Sequence, residues 1–263
     1  MRGKVFRLDM RIVSYNILDG GEGRADPIGE VIEAQRPDVV ALVEAGDLTV
    51  VERIAKRLKM DFVHAIGNSH ASVLMSRWTI RESINHAPLQ PELEKSLLEA
   101  TIATPDMGDM SFGVVHLHAH GREENEARRE RELAVLLDAF GAHRDAKRPH
   151  VICGDFNANA PSQQIDPART KERTRKDWEA NGGMLPRRVV QAMLKSGYVD
   201  SLHAVDRDAA ETVGTFSTQY PGQRVDYIFT HGIELPRLRK AWIEQDRLAT
   251  YASDHYPVGL EIT

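Results

Sequence analysis

The sequence feature that most constrains the fold is a continuous apolar run at residues 39–43, which directly follows an amphipathic helical pattern. A run in which every side chain is apolar is typical of a strand that is covered on both faces. The preceding pattern has Asp26 as a helix cap, Pro27 at the first helical position and a stop at Pro37. A helix followed by a doubly covered strand predicts an α/β protein.

The same alternation of apolar strands and amphipathic helices continues along the chain. Further helices are predicted near 49–58, over about 122–140, and from Pro186 to just before Gly197. We interpret the charged first half of the 122–140 helix as a solvent-facing surface. Many short strands beside few helices indicate mixed sheets flanked by helices. The strands are predicted at 10–16, 61–65, 71–76, 80–86, 96–103, 111–118, 150–154, 225–230, 238–243 and 256–262.

Length and composition indicate one folded domain. The 263 residues, of which 41% are hydrophobic, are sufficient for a large core and exclude a disordered chain. No apolar run approaches the roughly 18 residues of a membrane helix, and the N-terminus has no signal-peptide pattern. The single cysteine, Cys153, agrees with a reducing compartment, so a cytoplasmic location is expected. We interpret residues 1–263 as a single domain.

The segment 158–185 has the composition of an inserted basic loop. The net charge of −5 argues against an indiscriminate nucleic-acid-coating protein, yet this segment concentrates cations. Two interpretations remain open: a solvated loop, or a mobile wall of the cleft that binds an anionic substrate through its cations and an aromatic ring. The candidate substrate-binding residues are Arg169, Lys171, Arg173, Arg175, Lys176 and Trp178.

Polar side chains follow several of the apolar strands, at the place where α/β sheets usually build their sites. Carboxylate and amide oxygens are the ligands that Mg²⁺ prefers, and a carboxylate beside an imidazole permits general acid–base chemistry. Each residue alone is more often a cap or a turn residue, so only the complete set indicates a functional site. The set consists of Asn16, Glu44, Asp155, Asn157, Asp226, Asp254 and His255.

Seven short motifs together resemble the endonuclease/exonuclease/phosphatase superfamily of metal-dependent phosphoesterases. A given four-residue string occurs by chance in a chain of this length with a probability of roughly 0.2%, so GDFN and SDHYP in this order are specific. The resemblance covers residues 10–262. The motifs are SYNI around Asn16, ALVEA around Glu44, SVLMSR ending at Arg77, VVHL around His116, GDFN at 154–157, RVDYIF at 224–229 and SDHYPV at 253–258.

The resemblance implies a four-layer α/β/β/α sandwich of two mixed sheets flanked by helices. It also implies an enzyme that hydrolyses phosphoesters with a bound Mg²⁺ or Mn²⁺ ion. In the matching positions, Glu44 is expected to be the principal metal ligand with Asn16 beside it, and Asp254 is expected to complete the metal or water shell.

The resemblance further implies roles in the chemistry. Asp155 is expected to orient or deprotonate the attacking water, and Asn157 and His116 are expected to bind phosphate oxygens. His255 would act as acid–base or charge stabiliser, with Asp226 fixing its ring. A nuclease or nucleotide phosphodiesterase with a nucleic-acid or nucleotide substrate is favoured, and an enzyme acting on inositol or lipid phosphates is the alternative.

Two alternatives of other classes remain. His116, His118 and His120 alternate at period two, so on a strand they would share one face and could form the site of a zinc hydrolase. Otherwise His116 contacts phosphate and the other two lie at the rim, with His118 a candidate for substrate binding; the register that decides which of the first two points inward stays open. A non-catalytic binding module is disfavoured, because the complete set of polar residues is present.

Overall fold

The computed structural model describes residues 9–263, and their strands form two sheets of six. The strands are β1 (Met10–Asn16), β2 (Val39–Val43), β3 (Asp61–Ile66), β4 (Ala71–Ser76), β5 (Ile80–Asn85), β6 (Leu97–Thr104), β7 (Gly108–His116), β8 (His150–Asp155), β9 (Val199–Asp200), β10 (Asp226–His231), β11 (Leu238–Ile243) and β12 (Val258–Ile262). The α-helices are α1 (Ala25–Ala34), α2 (Leu48–Leu58), α3 (Glu123–Ala139), α4 (Gly141–Asp145), α5 (Glu172–Ala180), α6 (Arg188–Lys195), α7 (Ser201–Val205), α8 (Arg207–Thr212) and α9 (Arg247–Ala252).

Both sheets are mixed, as the strand pattern predicts. The first sheet has the order β11–β12–β1–β2–β4–β3, and the second has the order β5–β6–β7–β8–β10–β9. Each contains one parallel pair, β1 with β2 and β7 with β8. The remaining neighbours are antiparallel.

Three apolar clusters separate four layers. One lies between the two sheets, a second lies between the first sheet and helices α1, α2 and α9, and a third lies between the second sheet and helices α3 and α6. In β2, Val39, Ala41 and Val43 belong to the cluster between the sheets, whereas Val40 and Leu42 face the helices. Burial on both faces explains the continuous apolar run, and the predicted α/β/β/α sandwich is confirmed.

The strand register brings polar residues to one edge of both sheets. In the first sheet, β1 ends at Asn16 and Glu44 follows the parallel β2. In the second sheet, His116 lies opposite Asp155, and Asp226 at the start of the antiparallel β10 lies opposite the same residue. Because the sheets pack face to face, these side chains meet at one end of the sandwich.

Two predicted helix starts are wrong by two residues each. Helix α1 begins at Ala25, and Arg24 occupies the cap position without a capping side chain. Asp26 therefore lies in the first turn, where its carboxylate accepts a hydrogen bond from Arg53 of α2 at 2.5 Å. Helix α6 begins two residues beyond Pro186. Gly197 does lie just past the end of α6, with a left-handed φ of 86°.

The charged half of α3 is solvent-facing only in part, since Glu123, Glu124 and Arg131 are exposed but one face is buried. Glu126, Arg129 and Glu132, spaced three residues apart on one face, are buried. The guanidinium of Arg129 donates to Glu126 Oε2 at 2.8 and 3.0 Å and to the carbonyl oxygens of His118 and His120. Pairing makes burial of these charges possible, and the pair supports the turn at 118–120.

The segment 158–185 includes α5, so it is not a loop throughout. Its interpretation as an insertion stays a prediction. Within residues 9–263, no helix is long and apolar enough to cross a membrane. The N-terminal pattern considered above for a signal peptide falls partly on residues 1–8, which lie outside the described residues.

Gly154 provides a test of the packing that positions Asp155. Its φ is 137°, and a Cβ atom there would lie 2.0 Å from the Val115 carbonyl oxygen of β7. We expect Gly154→Ala to lower the free energy of unfolding by about 2 kcal/mol or more, and the melting temperature by about 4 °C or more. The control is Gly46→Ala, because a Cβ atom at Gly46 meets nothing within 4 Å. Equal melting temperatures for the two variants would contradict the packing argument.

Candidate active site

One buried amide joins the polar ends of the two sheets. Asn16 Nδ2 donates hydrogen bonds to Glu44 Oε1 at 3.0 Å and to Asp155 Oδ2 at 3.1 Å. The amide is correctly oriented for this, because its Oδ1 accepts from the Leu18 amide at 3.0 Å. Asn16 therefore fixes two carboxylates that come from different sheets.

Glu44 is held in its ionised form. Its backbone has a left-handed φ of 57°, and its Oε2 accepts from the Asp19 amide at 2.9 Å. Burial raises the pKa of Glu44, but the nearby His116 and the Asp19 hydrogen bond outweigh burial and hold the pKa below its ordinary value. The result is an anionic oxygen donor at the edge of the first sheet.

Asp155 is a second ionised carboxylate, and it is fully buried. Its Oδ1 accepts from the Asn157 amide at 2.8 Å, and its Oδ2 lies 3.4 Å from His116 Nε2. Burial raises the pKa of Asp155, but its contact with His116 and the charge of His255 hold it far below its usual range. Asn157 lines the same cleft and donates from Nδ2 to the Leu117 carbonyl at 3.0 Å.

His255 and Asp226 form a buried pair. His255 Nδ1 donates to Asp226 Oδ2 at 2.9 Å, and His255 Nε2 lies 3.8 Å from Asp155 Oδ2. Burial lowers the pKa of His255, but the charge and hydrogen bond of Asp226 dominate and raise it to about 10. The ring is therefore an imidazolium at neutral pH, with an Nε2 proton directed toward the carboxylates.

Asp254 contributes an unsatisfied oxygen to the cleft. Its Oδ2 accepts from Lys171 Nζ at 2.8 Å. Its Oδ1 is buried, lies 4.0 Å from His255 Nε2 and has no hydrogen-bond partner within residues 9–263. A buried carboxylate oxygen without a partner is costly unless water or a cation satisfies it, so this atom fits a site for a divalent ion or its water shell.

His116 lies beside a lysine that the sequence analysis missed. Lys95 Nζ donates to His116 Nε2 at 2.5 Å and to the Leu117 carbonyl at 3.2 Å. Burial and the Lys95 charge lower the pKa of His116 to about 4, so its ring is neutral. Burial also lowers the pKa of Lys95, opposed by the charges of Asp155 and Glu44. Lys95 directly precedes the predicted strand at 96–103, but only packing shows that it turns inward.

The histidine alternation does not produce a three-imidazole site. Strand β7 ends at His116, so the period-two geometry expected for 116–120 does not apply. His118 Nδ1 contacts Glu94 Oε2 at 2.5 Å, and its Nε2 accepts from Asn125 at 3.2 Å. Both of its nitrogens are thus occupied. His120 lines the cleft and His118 does not, so the geometry favours His120 as the residue facing a substrate.

Among the described residues, two groups of side chains converge closely enough to hold a metal ion. One consists of Asp155, Asp226 and His255, but the imidazolium form of His255 has no free ring nitrogen to bind a metal. The other consists of Asp19, Glu44 and His70, whose ligand atoms all lie within 4.8 Å of one another. Asp19 follows Asn16 by three residues and was missed, because the sequence does not show that its loop folds back onto Glu44.

The basic segment supplies two of its cations to the cleft. Lys171 and Arg173 line it, and Lys171 Nζ also lies 4.5 Å from the centre of the Phe216 ring. Lys176 instead pairs with Glu172 at 2.7 Å. Arg169, Arg175 and Trp178 are not among the lining residues, and the Trp178 ring lies against Gly183.

A family model and several solved structures match this chain. The model of the Endonuclease/Exonuclease/phosphatase family matches residues 13–255. An AP endonuclease from Archaeoglobus fulgidus has a TM-score of 0.72 and 18% identity, over 96% of this chain and 99% of that chain. The 3′ phosphatase NExo from Neisseria, bound to a product DNA hairpin, has a TM-score of 0.72 and 17% identity, over 97% and 99%.

A third structure, D. rerio TDP2 complexed with a single-strand DNA product, has a TM-score of 0.69 and 19% identity, over 98% of this chain and 100% of that chain. At these identities the likeness establishes the fold. The comparison with curated protein sequences finds no match.

The Asp226–His255 pair predicts a measurable protonation state. In metal-free protein, we expect the His255 ring to titrate near the pKa of about 10, and Asp226→Asn to move this titration toward the ordinary value of about 6.5. Since the pKa is raised on folding, the stabilisation is present below about 6.5 and is lost as the pH rises through the folded-state value. Nuclear magnetic resonance of ¹⁵N-labelled imidazoles measures both titrations. An unchanged His255 titration in the variant would exclude Asp226 as the cause.

Proposed function

Because the chain belongs to the endonuclease/exonuclease/phosphatase family, whose members hydrolyse phosphoesters, we propose that it is a divalent-metal-dependent phosphodiesterase acting on nucleic acids or nucleotides. The observation that carries the proposal is the convergence of three groups of defined charge at one cleft. Glu44 and Asp155 are anionic, and His255 is cationic. Together they meet the needs of phosphoester hydrolysis: a metal ligand, an acceptor for the proton of water and a group that stabilises negative charge.

Glu44 is the proposed principal ligand of a Mg²⁺ or Mn²⁺ ion. Asp19 offers a further oxygen donor beside Glu44 in the adjoining groove, and Asp254 Oδ1 offers one at the cleft itself. Asn16 has both ends of its amide engaged by Leu18, Glu44 and Asp155, so we assign it to positioning the two carboxylates. A bound divalent ion would offset the negative charge that develops on the phosphoryl oxygens.

Asp155 and His255 are proposed to divide the proton transfers. Asp155 is an ionised carboxylate that is oriented by Asn16 and by the Asn157 amide, so it suits the orientation and deprotonation of a water molecule. His255 carries a proton on Nε2 at neutral pH, so it suits stabilisation of a phosphate oxygen or protonation of the leaving group. Environments that push two neighbouring pKa values apart are typical of paired acid and base roles.

Lys95 and His116 complete the phosphate-binding side in this proposal. The neutral His116 accepts a hydrogen bond from Lys95. Its Nε2 lies 3.4 Å from Asp155 Oδ2, so the ring holds the lysine close to the carboxylate. The Lys95 ammonium brings a positive charge to a cleft that also contains Glu44. We propose that Asn157 contacts a non-bridging phosphate oxygen, that Lys95 offsets the phosphate charge, and that His116, whose Nε2 accepts from Lys95, positions the lysine rather than donating to phosphate.

A substrate larger than one phosphate group is supported by the cations at the cleft. Lys171 and Arg173 line it beyond the carboxylates. The structures of the Neisseria phosphatase and of TDP2 with bound DNA products show that this fold accommodates nucleic acid in those proteins. The cations favour a polyanionic substrate, and the DNA bound in those two neighbours supports a nucleic-acid or nucleotide substrate over an inositol or lipid phosphate.

A panel of substrates tests the function. We expect hydrolysis of an oligonucleotide or a nucleotide diester with Mg²⁺ or Mn²⁺ and none in EDTA, with less turnover of inositol phosphates and lipid phosphodiesters. Glu44→Gln is expected to lower turnover by about 100-fold or more, because it removes the anionic ligand and keeps the shape. The fold of the variant is checked by its melting temperature. Full activity of Glu44→Gln, or of the wild type in EDTA, would refute the proposed mechanism.

Arg173 provides a test of substrate steering with a matched control on the same helix. Arg173→Gln is expected to raise KM for an oligonucleotide by about 3-fold at low salt, because a single exposed charge contributes modestly. The effect should shrink in 1 M salt, where screening acts within about 3 Å. Lys176→Gln removes the same charge from a residue that is paired with Glu172, and it is expected to leave KM unchanged. Equal changes in KM for the two variants would contradict a role of Arg173 in substrate binding and would leave the segment as a solvated surface.

A further inference from the structure

His70 lies where a metal ligand is expected, although none of the sequence motifs includes it. Its ring belongs to the converging group with Asp19 and Glu44. Ligand atoms around an octahedral ion with bonds of about 2.1 Å lie about 3 to 4.2 Å apart. The three donor atoms, all within 4.8 Å of one another, therefore need only a small adjustment to share one ion.

The turn that carries His70 joins β3 to β4 of the first sheet and is fixed against the loop that leads into β6 of the second sheet. Asn68 Nδ2 donates to the Leu93 carbonyl at 3.1 Å, and Ser69 Oγ donates to the Glu94 carbonyl at 3.4 Å. A Cβ atom at Gly67 would lie 2.4 Å from the backbone of Lys95, so the β3–β4 turn packs directly on the segment that leads to Lys95. His70 thus occupies a position that the fold holds in place.

The His70 ring has one nitrogen available for a ligand. Its Nδ1 is hydrogen-bonded to Ser69 Oγ at 2.9 Å, and its Nε2 makes no hydrogen bond within residues 9–263. A second partner on the opposite ring nitrogen is typical of histidines that bind metals, because it fixes the tautomer and the ring orientation. The ring also meets His116 edge-on, with 5.3 Å between ring centroids, so it borders the proposed phosphate-binding residues.

The loop that carries Asp19 wraps around Glu44. The Asp19 amide donates to Glu44 Oε2 at 2.9 Å, and the Gly20 amide donates to the Glu44 carbonyl at 2.7 Å. Asp19 has a left-handed φ of 48°, which turns its carboxylate toward the same groove. In the described part of the chain, neither Asp19 nor Glu44 forms an ion pair with a lysine or arginine. Two carboxylates without such a partner favour binding of a cation.

We propose that His70 is a ligand of the divalent ion together with Asp19 and Glu44, and that this nitrogen donor makes the site prefer a first-row transition ion to Mg²⁺. An imidazole binds transition ions well and Mg²⁺ poorly, because Mg²⁺ requires hard oxygen donors. The inference rests on the proposed function in that it concerns the same ion, but its test does not depend on catalysis.

The test is metal binding to protein from which metals have been removed by a chelator. We expect Mn²⁺ bound to the wild type to show ¹⁴N coupling from a directly ligated imidazole in pulsed electron paramagnetic resonance, and His70→Ala to lose it. Calorimetry is expected to show Mn²⁺ affinity weakened by about 10-fold or more in His70→Ala, and Mg²⁺ affinity changed much less. His70→Asp replaces nitrogen by oxygen, so it should bind both ions with less preference for Mn²⁺.

His64→Ala is the matched control. His64 is an imidazole of the same groove that does not belong to the converging group, so its removal should preserve both the ¹⁴N coupling and the Mn²⁺ affinity. Melting temperatures establish that each variant is folded. Absence of ¹⁴N coupling in the wild type, or its persistence in His70→Ala with unchanged affinity, would overturn the inference. Failure of the proposed function has a different signature: Mn²⁺ binds with ¹⁴N coupling, but no phosphoester is hydrolysed.

Discussion

The hydrogen bonds from the Asn16 amide to Glu44 and Asp155 are the interaction on which the site depends. Glu44 follows a strand of the first sheet, whereas Asp155 ends a strand of the second. Two like charges at such close range repel each other, and the shared donor reduces that cost while it sets their spacing. The apolar cluster between the sheets brings the strand ends together, but the amide decides how the two carboxylates face the cleft.

The electrostatics of the cleft show how neighbours give identical side chains opposite roles. His116 and His255 are both buried, yet Lys95 helps to lower the pKa of His116 to about 4, and Asp226 raises that of His255 to about 10. One ring is therefore a neutral acceptor and the other a charged donor at the same pH. This separation supplies the asymmetry that water activation and leaving-group stabilisation require.

A second set of buried charges lies behind the cleft. Arg129 is neutralised by Glu126 and donates to the carbonyls of His118 and His120, and Glu132 accepts from the His118 amide at 2.7 Å. A helix whose inward face is charged departs from the usual apolar pattern. Here it stabilises an irregular turn, because polar backbone groups that leave a strand end need hydrogen-bond partners when they are buried.

The sequence by itself determined the layers and most of the polar site positions at the strand ends, because side-chain periodicity is a local property of each element. The apolar run at 39–43 specified a strand covered on both faces, and GDFN and SDHYP specified Asp155 and His255. Only the tertiary structure decided that Lys95, Asp19 and His70 join them, that α3 buries Glu126 and Arg129, and which histidine is charged. Those outcomes depend on contacts between residues distant in the chain, such as Asp226 with His255, and register and packing determine such contacts.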